Sequence, residues 1–123
     1  MVVAHDDLEG AAREIVSAAF LCSGQRCTAI SRVIVAQNQA DELVERILAQ
    51  VGRIRVGDGL EEGTTMGPLV SRGQLETVES YVRRGLESGA RLLPWRRYNL
   101  WCVLLELPPA RRSRPEGQRI WPY

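Results

Sequence analysis

Apolar side chains recur at three- and four-residue intervals in three separate blocks, with a short β-branched run and a glycine-rich stretch between them. In the first block Leu8, Ala12, Ile15, Val16 and Ala19 fall on one side of a helix, and Asp6 and Asp7 suit its start. That side continues through Phe20 and Leu21. Cys22, Ser23 and Gly24 then break the pattern, with glycine at the point where the chain has to turn. Ser31 to Val35 contains Val33, Ile34 and Val35, a run expected to form a buried strand. Leu43, Val44, Ile47, Leu48, Val51 and Ile54 predict a second helix, with Glu42 and Arg46 four apart on its exposed side.

Gly57, Gly59, Gly63, Gly67 and Pro68 mark the stretch up to Leu69 as a loop. Ser71 followed by Gln74 resembles a capping box and opens a third helix, in which Leu75, Val78, Val82 and Leu86 share a face. Gly89 is its expected stop, and Ala90 to Leu93 begin another strand. The order is helix, turn, strand, helix, loop, helix, an α/β rhythm with too few strands to complete a sheet. A unit of this kind is expected to be part of something larger.

Beyond Leu93 the rhythm stops. All 16 basic residues of the 123 are arginines, and six of them lie from Arg96 onward, giving that segment a net charge of +4 against −3 for the rest. The three tryptophans and five of the six prolines lie beyond Leu93 as well. Pro108 and Pro109 exclude a helix, Arg111 to Gln118 is expected to be solvated or disordered, and Tyr98 to Leu107 has the composition either of a strand or of a sticky, unplaced segment.

Composition narrows the chemistry. With 45% hydrophobic residues, 25% charged residues and a net charge of +1, the chain is ordinary for a globular protein, and a nucleic-acid partner is not expected. No apolar run is long enough for a membrane span. The start carries His5, Asp6, Asp7 and Glu9 rather than a basic-then-apolar leader, so a cytoplasmic location is expected. Cys22, Cys27 and Cys102 cannot all pair, and with His5 as the sole histidine no zinc spacing can be assembled. A metal site is not expected. The glycines from 57 to 67 lack the spacing and the lysine of a phosphate loop.

Cys27 is the candidate nucleophile. It follows Gly24, Gln25 and Arg26 where a helix hands over to a strand, a junction that can turn a thiol outward and aim backbone N–H groups around it. Cys22, at the end of the helix, is expected in the core, and Cys102 is expected to be incidental. Glutamates 9, 14, 42 and 45 are expected to be exposed helix charges. A small thiol hydrolase pairing Cys27 with His5 remains open on residue types alone.

The segment from Phe20 to Ser31, Phe-Leu-Cys-Ser-Gly-Gln-Arg-Cys-Thr-Ala-Ile-Ser, resembles the active-site cysteine signature of the NAD(P)-dependent aldehyde dehydrogenases. Ser31 to Val35 is similar to the strand that follows in that family. Arg55 to Asp58 and Thr65 to Leu69 resemble its glycine-containing loop, and Val2 to Ala11 resembles the stretch after its Glu-Leu-Gly-Gly motif. The resemblance covers about residues 2–93.

It implies that Cys27 is the catalytic nucleophile of an aldehyde oxidation. In the parent reaction the thiolate attacks an aldehyde, hydride passes to NAD or NADP, and glutamate-activated water releases the acid from a thioester. The signature with Arg26 and Thr28 is similar to that of members acting on semialdehydes or phosphorylated aldehydes. The general-base glutamate, the asparagine of the oxyanion site, the cofactor domain and the Glu-x-Phe-Gly-Pro motif find no match in the 123 residues. Cofactor-binding residues of this chain are therefore not assignable.

The resemblance thus implies a partial catalytic domain over residues 1–93 and an unrelated Arg/Trp/Pro-rich tail over 94–123, frame-shifted or disordered. The isolated chain is expected to be inactive and to hold no cofactor stably. The alternative is a noncatalytic piece that associates with a full-length relative or a complementary chain.

Overall fold

A computed structural model describes residues 2–3, 6–93, 105–106 and 118–122, and side chains only within 6–93. His5, Cys102 and residues 111–117 lie outside them, as does most of the 98–107 segment of strand-like composition.

Strand β1 (Val2–Val3) leads into helix α1 (Leu8–Phe20), which crosses to strand β2 (Arg32–Ala36). The two strands pair in parallel, Val2 with Ile34 and Val3 with Val35, so the first third of the chain is a small βαβ unit. Helix α1 starts where the aspartates predict, with the Asp7 carboxylate accepting from the Gly10 N–H at 2.8 Å. Helix α2 (Gln37–Val51) follows β2 without a loop and begins six residues before the first apolar position that marked it. Ala36, in extended conformation, is its N-cap and supplies no side-chain cap.

The core lies between α1, α2 and one face of β2. Leu8, Ala12, Ile15 and Val16 meet Ala40, Leu43, Ile47 and Val51, with Val33 and Val35 beneath them. Alternation along β2 buries Val33 and Val35 and leaves Ile34 half-buried, so the strand is covered on one face. Arg46 ties the two helices outside the core, bonding Glu42 on its own helix and Glu9 on α1. Glu14 and Glu45 are exposed, as expected of helix charges.

Helix α3 (Arg72–Glu87) is capped by the Ser71 hydroxyl, which accepts from the Gln74 N–H at 3.2 Å, in agreement with the Ser71 and Gln74 pattern. Gly89 follows it with φ +84°. The helix buries no residue fully: Leu75, Val78 and Val82 are half-buried, and Leu86 is exposed.

Two strands lie in the tail, the first within the segment of strand-like composition and the second where the expectation of a solvated stretch ending at Gln118 is corrected. Strand β3 (Arg91–Leu92) pairs antiparallel with β4 (Leu105–Glu106). Strand β5 (Gln118–Pro122) pairs antiparallel along the whole of β2, from Arg32 opposite Pro122 to Ala36 opposite Gln118. Gln118, grouped by composition with the solvated stretch, is thus a strand residue. Composition registers how solvated a segment is, and it does not register the unpaired edge that β2 offers a strand.

Candidate active site

The candidate cysteine sits in a double turn between α1 and β2. Helix α1 ends at Phe20, and Leu21 leaves the helix with φ −57° and ψ 132°. Three left-handed residues follow in a row: Cys22 at φ 54°, Ser23 at φ 59° and Gly24 at φ 71°. Each non-glycine residue held there costs about 1–2 kcal/mol. The Gln25 N–H closes this first turn on the Cys22 carbonyl at 3.2 Å.

This geometry corrects the expectation for Cys22. Both Cys22 and Cys27 are exposed free thiols. The apolar side of the helix was extended through Leu21 by spacing alone. The helix stops one residue earlier, and the left-handed backbone carries the next side chains off that side. Leu21 is accordingly 50% exposed.

A second turn presents Cys27. The Ala29 N–H donates to the Arg26 carbonyl at 3.0 Å, which places Cys27 and Thr28 at the two central positions. The N–H groups of Cys27 and Thr28 have no hydrogen-bond partner among the described residues. The Ile30 N–H then returns to the Ala18 carbonyl of α1 at 3.3 Å. An exposed thiol and unengaged N–H donors are the kinds of group that carbonyl addition calls on, the first as nucleophile and the second as partners for a negative oxygen.

The turn is held from outside by the glycine-rich loop. The Ser23 hydroxyl donates to the Gly67 carbonyl at 2.6 Å. The Gln25 side chain accepts from the Val70 N–H at 2.9 Å and donates back to the Cys22 carbonyl at 3.3 Å. The loop is itself ordered by Thr65, whose hydroxyl accepts from the Arg55 N–H at 2.8 Å, and by a bridge between Val56 and Met66. The bridging roles of Ser23 and Gln25 were missed in the sequence. The one available signal was that both are polar residues between a helix and a strand.

A cleft of about 360 Å³ lies between this segment and α3, walled by Phe20, Arg26, Ile30, Val78, Tyr81 and Val82. Cys27 is not part of its lining. Arg26 thus lines the cleft while its sequence neighbour Cys27 does not. His5 lies outside the described residues, so the thiol hydrolase pairing gains no geometry. No cluster of three or more metal-ligating side chains occurs among the described residues.

Among the described residues, neither strand-to-helix junction has the form of a dinucleotide's pyrophosphate site. A pyrophosphate site needs a glycine-bearing strand-to-helix turn that presents helix N–H groups. At the start of α1 the Asp7 carboxylate already occupies an N-terminal N–H and would repel phosphate. The junction from β2 into α2 is Ala36, Gln37, Asn38 and Gln39, without a glycine.

Comparison with known proteins supplies the context for this turn. A family model described as the aldehyde dehydrogenase family matches residues 1–97, four residues further than the motifs alone reach. Malonate-semialdehyde dehydrogenase 2 of Bacillus mycoides is 42% identical over 93 residues, which are 76% of this chain and 19% of that protein. The alpha-ketoglutaric semialdehyde dehydrogenase of Bacillus subtilis is 43% identical over 94 residues, again 76% of this chain and 19% of its own length. Among solved structures, the NADP-dependent glyceraldehyde-3-phosphate dehydrogenase of Bacillus halodurans, complexed with NADP, superposes with a TM-score of 0.77 at 36% identity. That match covers 89% of this chain and 24% of the other. The chain spans about a fifth of the length of the curated relatives it matches.

Proposed function

The chain belongs to the aldehyde dehydrogenase family, and from that premise we propose that Cys27 is the nucleophile of an aldehyde-binding site whose chemistry, in these 123 residues, stops at carbonyl addition. The observation that carries this reading is the turn from Arg26 to Ala29, which exposes the thiol beside the unengaged N–H groups of Cys27 and Thr28. The sulfur adds to the aldehyde carbon, the carbonyl π bond opens, and the oxygen takes the proton that leaves the thiol. The product is a thiohemiacetal. The two N–H groups hold the oxygen while it is negative.

In the parent protein a nicotinamide cofactor would accept hydride from this adduct, and an activated water would release the acid. No such step is assigned to residues 1–123, because neither strand-to-helix junction suits a dinucleotide and the resemblance places the general-base glutamate outside them. The isolated chain is therefore inactive as a dehydrogenase. The substrate class is a small aldehyde carrying an anionic group. The signature variant with Arg26 and Thr28, similar to that of members acting on semialdehydes, favours this, as do relatives named for malonate semialdehyde and alpha-ketoglutaric semialdehyde.

The test uses single-thiol variants and a carbon-13-labelled aldehyde followed by NMR. The Cys22→Ser/Cys102→Ser chain is expected to give the tetrahedral carbon signal of the thiohemiacetal. The Cys27→Ser/Cys102→Ser chain is expected to give none. Equal signals from both would remove Cys27 from its role, and sustained Cys27-dependent NADH formation by the pure chain would show that it is a complete catalyst.

A second reading is favoured by a separate observation. No residue of α3 is fully buried, and Tyr81 on that helix is 58% exposed while it walls the apolar cleft. Such a face suits a noncatalytic piece that packs on a full-length relative. Size-exclusion chromatography with and without a full-length aldehyde dehydrogenase tests it: co-elution supports association, and independent elution at all concentrations argues against it.

A further inference from the structure

Gln25 stands at the junction of the two turns and is fixed there by three hydrogen bonds. Its backbone N–H closes the first turn on the Cys22 carbonyl at 3.2 Å. Its side-chain Nε2 donates to the same carbonyl at 3.3 Å, and its Oε1 accepts from the Val70 N–H at 2.9 Å, across 45 residues of chain. A carboxamide carries a donor and an acceptor in one plane, so this side chain engages both partners at once. Val70 is 82% exposed, and what it gives the turn is its backbone N–H rather than packing. The next residue, Arg26, offers the carbonyl that closes the second turn with the Ala29 N–H. The peptide group carrying the Cys27 N–H starts at Arg26, and the one carrying the Thr28 N–H starts at Cys27. Planar peptide groups turn only about φ and ψ, so the direction of these N–H groups depends on how Gln25 is held.

We propose that Gln25 is a positioning residue for carbonyl addition: clamped between Val70 and Cys22, its carboxamide sets the direction of the Cys27 and Thr28 N–H groups, and with it the stabilisation of a negative oxygen, without setting the nucleophilicity of the thiol. The proposal rests on the reading of Cys27 as the nucleophile of that addition.

Two reagents separate these properties. Iodoacetamide alkylates a thiolate by direct displacement: the S–C bond forms, iodide leaves, and no oxygen gains charge. p-Nitrophenyl acetate acylates it through a tetrahedral oxyanion: the S–C bond forms, the carbonyl π pair moves to oxygen, and its return expels p-nitrophenolate. Both rates scale with the thiolate, so their ratio reports on the oxyanion. An oxyanion donor removed outright costs about 10²–10³ in rate, and one turned aside is expected to cost part of that, about tenfold.

The experiment uses the Cys22→Ser/Cys102→Ser chain, in which Cys27 is the remaining thiol and the backbone carbonyl of residue 22 is kept. Alkylation is followed by mass spectrometry, and acylation by the single burst of p-nitrophenolate. Adding Gln25→Met, similar in length but without the carboxamide, is expected to slow acylation about tenfold and to leave alkylation as it was. Gln25→Asn, one methylene shorter and unable to reach both partners, is expected to move the ratio the same way, and it decides the matter if the methionine variant does not fold. Arg46→Gln weakens the link between α1 and α2 away from the turn and is expected to leave the ratio unchanged. Acylation and alkylation falling together, or neither falling, overturns the proposal. An equal fall of the ratio in Arg46→Gln also overturns it, as an effect of stability alone. If the parent chain has an acylation-to-alkylation ratio no higher than that of glutathione, the reading of Cys27 itself is overturned, because the folded turn adds nothing for an oxyanion.

Discussion

The hydroxyl of Ser23 donates a 2.6 Å hydrogen bond to the carbonyl of Gly67, 44 residues further along the chain. This bond joins the left-handed turn before Cys27 to the glycine-rich loop, two segments separated along the chain by β2 and α2. It is part-buried, where a hydrogen bond contributes about 0.5–1.5 kcal/mol. Ser23→Ala keeps the backbone demand at φ 59° and removes only the hydroxyl. The variant is expected to lose about 1 kcal/mol in a urea titration and to alkylate at Cys27 at a changed rate. Unchanged stability and alkylation would mean that the loop does not hold the turn.

The regular elements and the cysteine turn differed in how legible they were. Helices α1, α2 and α3 and strand β2 were visible because each buries or half-buries residues at its own period, as Leu8, Ala12 and Ile15 do on α1. The caps at Asp7 and Ser71 were visible because a cap is a local bond between near neighbours. The exposure of Cys22 was not visible. It depends on the helix ending at Phe20, and the apolar spacing runs past that point through Leu21. The pairing of β5 with β2 was hidden for another reason: ladder bonds are made by the backbone, and side-chain composition around Gln118 does not encode a partner more than eighty residues away. At the candidate site, Cys27 is singled out by the resemblance of its segment to a known signature, whereas the unengaged N–H groups of Cys27 and Thr28 required coordinates.

Gly24 tests the left-handed turn directly. Its φ is +71°, and a Cβ there would lie 3.0 Å from the Ala19 carbonyl oxygen. Gly24→Ala is expected to cost about 1–2 kcal/mol from the backbone alone, with some further loss from the contact. Gly59→Ala is the control, because nothing lies within 4 Å of its built Cβ and its φ is not positive. Equal thermal stabilities for the two variants would contradict the turn geometry.

Two leucines separate core from surface. Leu43 is 1% exposed and sits between α1 and β2, whereas Leu60 is 95% exposed in the loop. Leu43→Ala is expected to destabilise the chain by about 2–5 kcal/mol, and Leu60→Ala to stay within about 0.5 kcal/mol. Denaturant midpoints of the two variants provide the comparison. A small effect at Leu43 would show that α1, α2 and β2 do not form one cooperative core.

Arg46 carries the charged link between α1 and α2. Its pKa is raised by the hydrogen bond with Glu42, then by the one with Glu9. The sign follows from linkage: a basic group raised on folding adds stability that is fully present below its unfolded pKa and fades only as pH rises through the folded one. On the arginine side, the contribution is therefore constant through the neutral range. Arg46→Gln is expected to give a small loss of stability that shrinks as salt is added, because both pairs face solvent. A large, salt-independent loss would point to packing by the arginine stem instead.

Strand β5 covers one edge of β2 over five paired positions, while β1 covers two on the other. An uncovered edge strand offers a row of N–H and C=O groups to any extended segment nearby, including one from another copy of the chain. Ending the chain at Gly117 removes β5 and leaves β1, the three helices and the cysteine turn in place. The shortened chain is expected to associate in a concentration-dependent way, read by sedimentation velocity, and its β2 amides are expected to exchange hydrogen faster. Adding a peptide of residues 116–123 should restore both the original sedimentation and the protection, since it replaces the same ladder in trans. If the shortened chain sediments and exchanges as the full chain does, β5 is not what protects the edge of β2.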